Sequence, residues 1–208
     1  MDKKQVQDTH QDMVSVGCPA QTSHDELYYL TDLVSSPSLP HGHVLEIGSA
    51  WGATTRILAL ANAERGIPDE HVYSLEPYTP NDATDPFRIV ARATSLIATC
   101  RMEPRIYHMT MTVQELSKLQ IGRVFRFIFL DAYHEYENVL SDLHTAVTMT
   151  NFSGVICSHD MHGTGNLGAE RAWQEIVEQG GIPDENGIWI PEVGFKYSIG
   201  TLRWSECQ

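Results

Sequence analysis

The chain has 208 residues, of which 42% are hydrophobic and 20% are charged, and its 27 acidic and 14 basic residues give a formal net charge of −13. This length suits one domain that buries a substantial core without disulfide or metal staples. The acidic balance disfavours duplex nucleic acid, whose phosphates supply most non-specific affinity, and no apolar run approaches the roughly 20 residues of a bilayer span, so a small molecule is the expected partner.

The four cysteines are widely spaced and form no C-x-x-C pair; they are Cys18, Cys100, Cys157 and Cys207. No secretory leader pattern precedes them. We therefore expect a reducing, cytoplasmic location. Cys157 lies in the apolar run GVIC, which predicts a small core residue and not a nucleophile.

The first 22 residues are polar and lack sustained periodicity, which predicts a flexible N-terminal arm over 1–22 and a single domain over 23–208. Ser23 can cap a helix whose apolar residues, between Leu27 and Val34, fall on one face. Pro37 then ends this helix before the first predicted strand.

From residue 43 onward, β-rich runs alternate with runs of helical spacing. The predicted strands are 43–48, 71–76, 105–111, 124–131 and 153–159. The predicted helices are 52–65, 86–101, 112–119, 135–149 and 168–179. Five repeats of strand and helix imply right-handed crossovers and a parallel sheet with helices on both faces.

The end of the chain breaks this alternation. Two β-rich runs, 188–193 and 195–204, are joined across Gly194 with no helix between them. Such a pair must be antiparallel, because a parallel pair needs a long crossover. The fold class predicted from the pattern is therefore a doubly wound α/β fold with a mostly parallel sheet and an antiparallel last strand.

Ligands of open α/β sheets bind beyond the carboxyl ends of the strands, where the strand order reverses. Several predicted strands end in acids, namely Glu76, Asp131 and, after His159, Asp160. Glu76 follows the glycine turn at Gly48 by one helix and one strand, the interval at which a carboxylate accepts hydrogen bonds from ribose hydroxyls. The alternative is a solvated acid that opens a loop.

The first strand runs into the sequence E-I-G-S-A-W-G, residues 46–52, and then into a helix. Gly48 permits a sharp turn, and Gly52 brings the helix start, with its free N–H groups, near the strand. A dinucleotide fingerprint needs a glycine where Ala50 stands, and Trp51 would crowd a diphosphate. A nicotinamide-dependent oxidoreductase is thus disfavoured, although a glycine turn in any α/β unit would look similar.

Four segments together resemble class I S-adenosylmethionine (SAM)-dependent methyltransferases, in particular small-molecule O-methyltransferases with a D-x-x-H-x-Y-E stretch after the fourth strand. The segments are VLEIGSAWGATT, VYSLEPY, FIFLDAYHEYENVLSDL and GVICSHDM. The resemblance covers residues 24–204. It implies a seven-stranded, Rossmann-like sheet with an antiparallel last strand and SAM as the cofactor.

The resemblance also implies which residues bind the cofactor. They are Glu46, Gly48, Ser49, Trp51, Gly52, Glu76, Met111 and Asp131. Family members often carry Gly-Asp-Ser near the end of the third strand, whereas this chain has Thr110, Met111 and Thr112. The acid is absent, so backbone groups and the apolar face of Met111 would have to meet the adenine.

Methyl transfer from a sulfonium is an in-line displacement, so the protein must align the nucleophile with the methyl group and take up the nucleophile's proton. The candidate catalytic residues are Asp131, His134 and Asp160. Histidine suits the role of base near neutral pH. In the alternative interpretation, His134 only packs at the start of a helix.

In metal-dependent members of the family, the pair at the end of the fifth strand is acidic and binds a divalent cation together with the acid of the fourth strand. Here the pair is His159 and Asp160. A site of Asp131, His159 and Asp160 would hold Mn²⁺, Fe²⁺ or Zn²⁺ more readily than Mg²⁺. The histidine equally suits a protein that has lost the metal and uses these residues to contact substrate.

The predicted function is SAM-dependent O-methylation of a small hydroxylated metabolite, with or without a divalent cation (Mg²⁺, Mn²⁺ or Fe²⁺). Two alternatives on the same scaffold are a metal-dependent hydroxylase-like enzyme and a nucleoside-cofactor-binding protein without catalysis. Many relatives pair through their N-terminal segments, which implies a homodimer.

Overall fold

The computed structural model describes residues 1–15, 17–18, 21–77, 105–185, 187–192 and 194–206. The helices are α1 (Lys3–Ser15), α2 (His24–Ser35), α3 (Ala53–Glu64), α4 (Val113–Ser117), α5 (Tyr136–Met149) and α6 (Leu167–Glu178). The strands are β1 (His43–Ile47), β2 (Val72–Leu75), β3 (Ile106–Met109), β4 (Phe125–Leu130), β5 (Thr150–Ser158), β6 (Ile182–Asp184), β7 (Gly187–Pro191) and β8 (Gly200–Glu206). The predicted helix 86–101 lies outside the described residues.

The strands form one sheet in the order β3-β2-β1-β4-β5-β8-β7-β6. Strands β1 to β5 are mutually parallel, whereas β8 is antiparallel to both β5 and β7. This confirms the doubly wound α/β fold and the antiparallel last strand. The direction of winding reverses between β1 and β4, so a crevice opens beyond their carboxyl ends.

The described residues contain eight strands where the sequence predicts seven. The additional strand, β6, pairs antiparallel with β7 at the edge of the sheet. It has three residues, includes Pro183 and follows Gly180 and Gly181. Such a sequence indicates a turn, and proline within a strand is tolerated mainly at an edge.

The predicted strand 195–204 begins later than expected. Residues Lys196 and Ile199 form an isolated bridge around a tight turn, and the strand itself is Gly200–Glu206. Tyr197 within this turn has a φ of +63°, a left-handed conformation that ends β pairing. The turn lies against the site described below.

Apolar residues on each face of the sheet pack against a layer of helices. On one face, Leu45, Ile128 and Ile156 belong to a core that includes Leu143 of α5 and Ala172 of α6. On the other face, a second core includes the following residues: Val44, Phe127, Cys157, Leu30 of α2 and Leu58 of α3. Cys157 is fully buried, and burial raises the pKa of its thiol to about 12, which confirms it as a core residue.

The segment predicted as a flexible N-terminal arm contains helix α1. Val6 packs with Leu27 of α2 and Ile57 of α3, and Met13 packs with Ala53. Val6 and Met13 lie seven residues apart and so share one face, but two buried residues in 13 are too few to produce a detectable helical pattern. No helix among the described residues has the length and apolarity needed to cross a bilayer.

A buried ion network ties α2, α3 and β4 together on the second face. The Nε atoms of Arg65 and Arg126 lie 3.0 and 3.3 Å from the same Glu70 carboxylate oxygen. Arg126 is fully buried and also donates to the carbonyl of Val34 and to the side chain of Asn62. Burial lowers the pKa of Arg126 to about 10, against the opposing effect of Glu70.

Candidate active site

The predicted strand ends meet at one edge of the sheet because backbone hydrogen bonds continue beyond the strands. The amide of Asp131 donates to the carbonyl of Ile47, and the amide of His159 donates to the carbonyl of Leu130. The amide of Gly48 likewise donates to the carbonyl of Leu75. The ends of β1, β2, β4 and β5 are thereby held side by side.

Gly48 occupies a position that no other residue fits. Its φ is +93°, and a Cβ built there would lie 2.1 Å from the carbonyl oxygen of Asp131. This distance is far below van der Waals contact, so any side chain would force the two strand ends apart. The turn after β1 therefore lies directly against the end of β4.

A cavity opens above this turn. It is lined by Gln21, Gly48, Ser49, Ala50, Trp51, Ala53, Thr54 and Asp131. The hydroxyl of Ser49 is buried and has no hydrogen-bond partner among the described residues. The start of α3 contributes backbone N–H groups that a helix leaves unsatisfied. The cavity therefore offers donors suited to a carboxylate or another anionic group.

Glu46, expected to contact the cofactor, is fully buried below the turn and is not among the described residues that line the cavity. One of its oxygens accepts hydrogen bonds from the hydroxyls of Thr55 and Ser74. Burial raises the pKa of this carboxyl to about 8, although the two hydroxyls oppose the shift. Glu46 thus supports the cavity floor from within the core.

Glu76 holds the turn from its other side. Its Oε2 accepts a hydrogen bond of 2.9 Å from the backbone amide of Ala50. Ala50 has a φ of +39°, an uncommon conformation for a residue with a side chain, and this hydrogen bond stabilises it. Glu76 thus fixes the shape of the turn that lines the cavity.

The remaining predicted cofactor residues lie around the turn in different settings. Gly52 adopts a φ of +75° at the start of α3, and its amide donates to the carbonyl of Ser49. Trp51 lines the cavity and packs against the cluster that contains Met13. Met111 packs against the core on the face of α5 and is not among the described lining residues.

Asp131, His134 and Asp160 come together at the mouth of the crevice. Each offers an oxygen or nitrogen atom, and these atoms lie within 4.8 Å of one another. Nε2 of His134 lies 2.8 Å from a carboxylate oxygen of Asp160. Asp160 has a φ of +60° and accepts a hydrogen bond of 2.5 Å from the side chain of Asn166. Backbone conformations of this kind concentrate at functional sites.

His159, predicted as a metal ligand together with Asp131 and Asp160, lies next to both aspartates. Its side chain is 8% exposed, and its Nδ1 lies 3.2 Å from Asp131 and 3.4 Å from Asp160. Burial would lower its pKa, but Asp131, Glu26 and Asp160 raise that pKa to about 10. Among the described residues, the side chains whose ligand atoms converge closely enough to hold a cation are Asp131, His134 and Asp160, a group that does not include His159.

Glu26 of α2 completes this cluster and was missed from the sequence. Its carboxylate lies 3.5 Å from Nε2 of His159 and accepts hydrogen bonds from Ser23 and Ser198. Burial would raise its pKa, but His159, Ser198 and Ser23 lower it below the ordinary value. The sequence S-x-x-E indicates only a helix capping box, which Ser23 and Glu26 also form.

The sequence profile of a family described as a methyltransferase domain matches residues 45–161, more than half of the chain. The chain belongs to this methyltransferase domain family. The match includes the turn after β1, the strand ends and all three residues at the mouth of the crevice. This confirms the resemblance to methyltransferases and identifies the protein as an enzyme. A search of curated proteins finds no relative of this methyltransferase.

Solved structures share the fold of this methyltransferase at low sequence identity. The O-methyltransferase from Bacillus cereus, in complex with SAH, is 18% identical with a TM-score of 0.61, over 98% of this chain and 92% of that one. TomG from Streptomyces achromogenes, an O-methyltransferase involved in tomaymycin synthesis and in complex with SAM, is 17% identical with a TM-score of 0.63, over 97% and 89%. SAH-bound PaMTH1 from Podospora anserina is 15% identical with a TM-score of 0.66, over 99% and 89%.

Proposed function

We propose that this methyltransferase transfers the methyl group of SAM to a hydroxyl group of a small molecule. The observation that carries the proposal is the contact between the turn at Gly48 and the end of β4. It sets the cavity beside the group of Asp131, His134 and Asp160. O-Methyltransferases of the same fold in complex with SAM or SAH support both the cofactor and the acceptor class.

In this proposal the cavity binds the amino-acid end of SAM. The buried hydroxyl of Ser49 and the N–H groups at the start of α3 suit the cofactor's carboxylate. Glu76 suits the ribose, because a carboxylate has about four acceptor positions and can hold Ala50 while it accepts from hydroxyl groups. The carboxylate of Asp131, which lines the cavity, also favours a positively charged sulfonium.

The reaction is a displacement at the methyl carbon. A lone pair on the acceptor oxygen forms the new C–O bond as the C–S bond breaks, and the sulfur leaves with the electron pair as neutral S-adenosylhomocysteine (SAH). The acceptor's proton needs a base. His134 fits this role, since Asp160 can hold the proton on Nε2 and leave the other ring nitrogen able to accept one.

Calorimetry with SAM and SAH tests the cofactor assignment. The wild-type protein is expected to bind both, and Glu76→Ala is expected to weaken binding by about 1.5 to 3 kcal/mol, or about 10- to 150-fold, because charge-assisted hydrogen bonds are lost. Glu178→Ala, at an exposed position on α6, serves as the control and should bind like the wild type. Absence of SAM and SAH binding to the wild-type protein would contradict the proposed function.

The same three side chains favour a second candidate chemistry, in which a divalent cation assists the transfer. Two carboxylates and one imidazole form a ligand set that suits Mn²⁺ or Fe²⁺ better than Mg²⁺. Asp131, His134 and Asp160 would hold the ion, with His134 in the place predicted for His159. A bound cation would lower the pKa of an acceptor hydroxyl that it contacts.

Titration with MnCl₂ distinguishes the two chemistries. If the cation binds at this group, His134→Ala should lower the affinity for Mn²⁺ by at least about tenfold, since even outer residues of metal sites contribute that much. The control is His144→Ala, on the exposed side of α5. Absence of Mn²⁺ binding, or equal affinity in the two variants, would rule out a cation here and leave His134 as the base.

A further inference from the structure

A buried carboxylate of helix α2, that of Glu26, faces the imidazole of His159. Glu26 is 6% exposed, and its Oε2 lies 3.5 Å from Nε2 of His159. The opposite nitrogen of this imidazole faces Asp131 and Asp160. His159 thus stands between one carboxylate of α2 and the two carboxylates at the mouth of the crevice.

The surroundings of Glu26 hold its carboxylate in this position. Its Oε2 also accepts a hydrogen bond of 2.9 Å from the amide of Ser23, the residue that caps α2. Its Oε1 accepts from both the amide and the hydroxyl of Ser198, in the turn before β8. The carbonyl of Ser198 in turn accepts a hydrogen bond of 2.9 Å from the amide of Met161, the residue after Asp160.

These contacts restrict how His159 can orient. With a carboxylate on each side, a flip of the ring would replace the two nitrogens that face Glu26 and the aspartates by carbon atoms and lose these contacts. Its Nδ1 lies 3.2 and 3.4 Å from the two aspartates, which are each 13% exposed and repel each other as like charges, although neither contact has the geometry of a hydrogen bond. Glu26 contacts Ser23, Ser198 and His159, so a path from Glu26 to the aspartates runs through His159.

We propose that Glu26 is a positioning residue, which acts through His159 to hold Asp131 and Asp160 in the geometry required for methyl transfer. The inference rests on the proposed function for its catalytic consequence. A glutamine at position 26 can preserve the capping box, because Gln serves at this position as Glu does. Glu26→Gln therefore removes the charge that faces His159 while it keeps the helix start.

The first test is kinetic. For methyl transfer to the best acceptor among phenols, catechols and aliphatic alcohols, Glu26→Gln is expected to lower kcat by about 10- to 100-fold, the usual cost of losing an outer-shell partner. The dissociation constant for SAM should stay within about threefold, since Glu26 does not line the cavity. An unchanged kcat, or a loss that lies wholly in SAM affinity, would overturn the proposal.

The matched control is Glu115→Gln. Glu115 forms the same capping box with Thr112 at the start of α4, and no histidine in the described part of the chain forms a hydrogen bond or ion pair with it. Both variants lose one capping carboxylate, so a difference in kcat between them would reflect a role of Glu26 other than capping. We expect Glu115→Gln to retain the wild-type kcat. Equal losses of kcat in the two variants would show that capping explains the effect, and the proposal would fail.

The second test is independent of activity. In nitrogen-15 NMR spectra of histidine side chains, Glu26→Gln is expected to shift the ring signals of His159, and Glu115→Gln is not. An unchanged His159 signal in Glu26→Gln would disprove the positioning contact even if no acceptor is found. A shifted signal in a protein without SAM binding or methyl transfer would instead retain the contact and reject the proposed function.

Discussion

Asp160→Asn is expected to lower kcat for methyl transfer by about 10²- to 10⁴-fold, the range associated with loss of acid–base assistance. The amide has almost the same shape as the carboxylate, and asparagine tolerates the φ of +60° at this position as well as aspartate does. The change therefore removes a charge without altering the backbone. It is measured with purified protein, SAM and the best acceptor of the panel.

The loss has two physical sources. An amide cannot hold the proton on Nε2 of His134 as a carboxylate does, so the imidazole no longer presents one defined tautomer to the acceptor. If a cation binds instead, the amide is a weaker ligand than the carboxylate. Under both chemistries kcat falls, while the dissociation constant for SAM is expected to change by less than about threefold, because Asp160 does not line the cavity.

The matched control for this experiment is Asp25→Asn. Asp25 is 55% exposed on α2 and pairs with Lys3. A kcat in Asp160→Asn within about threefold of the wild type would show that the group at the mouth of the crevice does not take part in the reaction.

Glu70→Gln is expected to destabilise the protein by about 3 to 5 kcal/mol, as found when one partner of a buried ion pair is removed. Glu70 is the carboxylate that Arg65 and the fully buried Arg126 share. After the substitution, two guanidinium groups would face each other in the core without a compensating charge. Because domains are stable by only about 5 to 15 kcal/mol, the loss would be readily detected by equilibrium unfolding in guanidinium chloride.

The control is the same substitution in a surface ion pair. Glu192 pairs with Arg203, and their side chains are 39% and 44% exposed. Solvent screens this pair, so Glu192→Gln should cost less than about 1 kcal/mol. A cost below about 1 kcal/mol for Glu70→Gln as well would indicate that water or rearranged side chains compensate the buried arginines.

Much of the fold could be predicted because β4 and its neighbours are buried apolar runs separated by helices of regular period. Elements that are short or bury only a few residues could not be predicted. Helix α1 buries only Val6 and Met13, and β6 is three residues long, so neither leaves a periodic signal. Both are stabilised by tertiary contacts, which local patterns do not report.

The sequence predicts at which edge of the sheet the site lies, but not which side chains at that edge enter the crevice. His159 and Asp160 follow the last residue of β5, Ser158, and Asp160 has a left-handed φ of +60°, so the alternation of a strand does not set their directions. The sequence therefore places His159 and Asp160 at the correct edge without indicating which of them enters the crevice. The partner that fixes His159, Glu26, comes from a helix more than 130 residues earlier, and a capping box already explains its presence in the sequence.

Because Gly48 has no side chain, the turn after β1 can lie directly against the end of β4. Because the turn that would carry the methyl donor rests on the main chain of Asp131, backbone atoms fix the distance between this turn and the end of β4. The separation should vary little as the protein fluctuates. Changes of acceptor during evolution would then arise in the surrounding loops, while the spacing between this turn and the end of β4 stays constant.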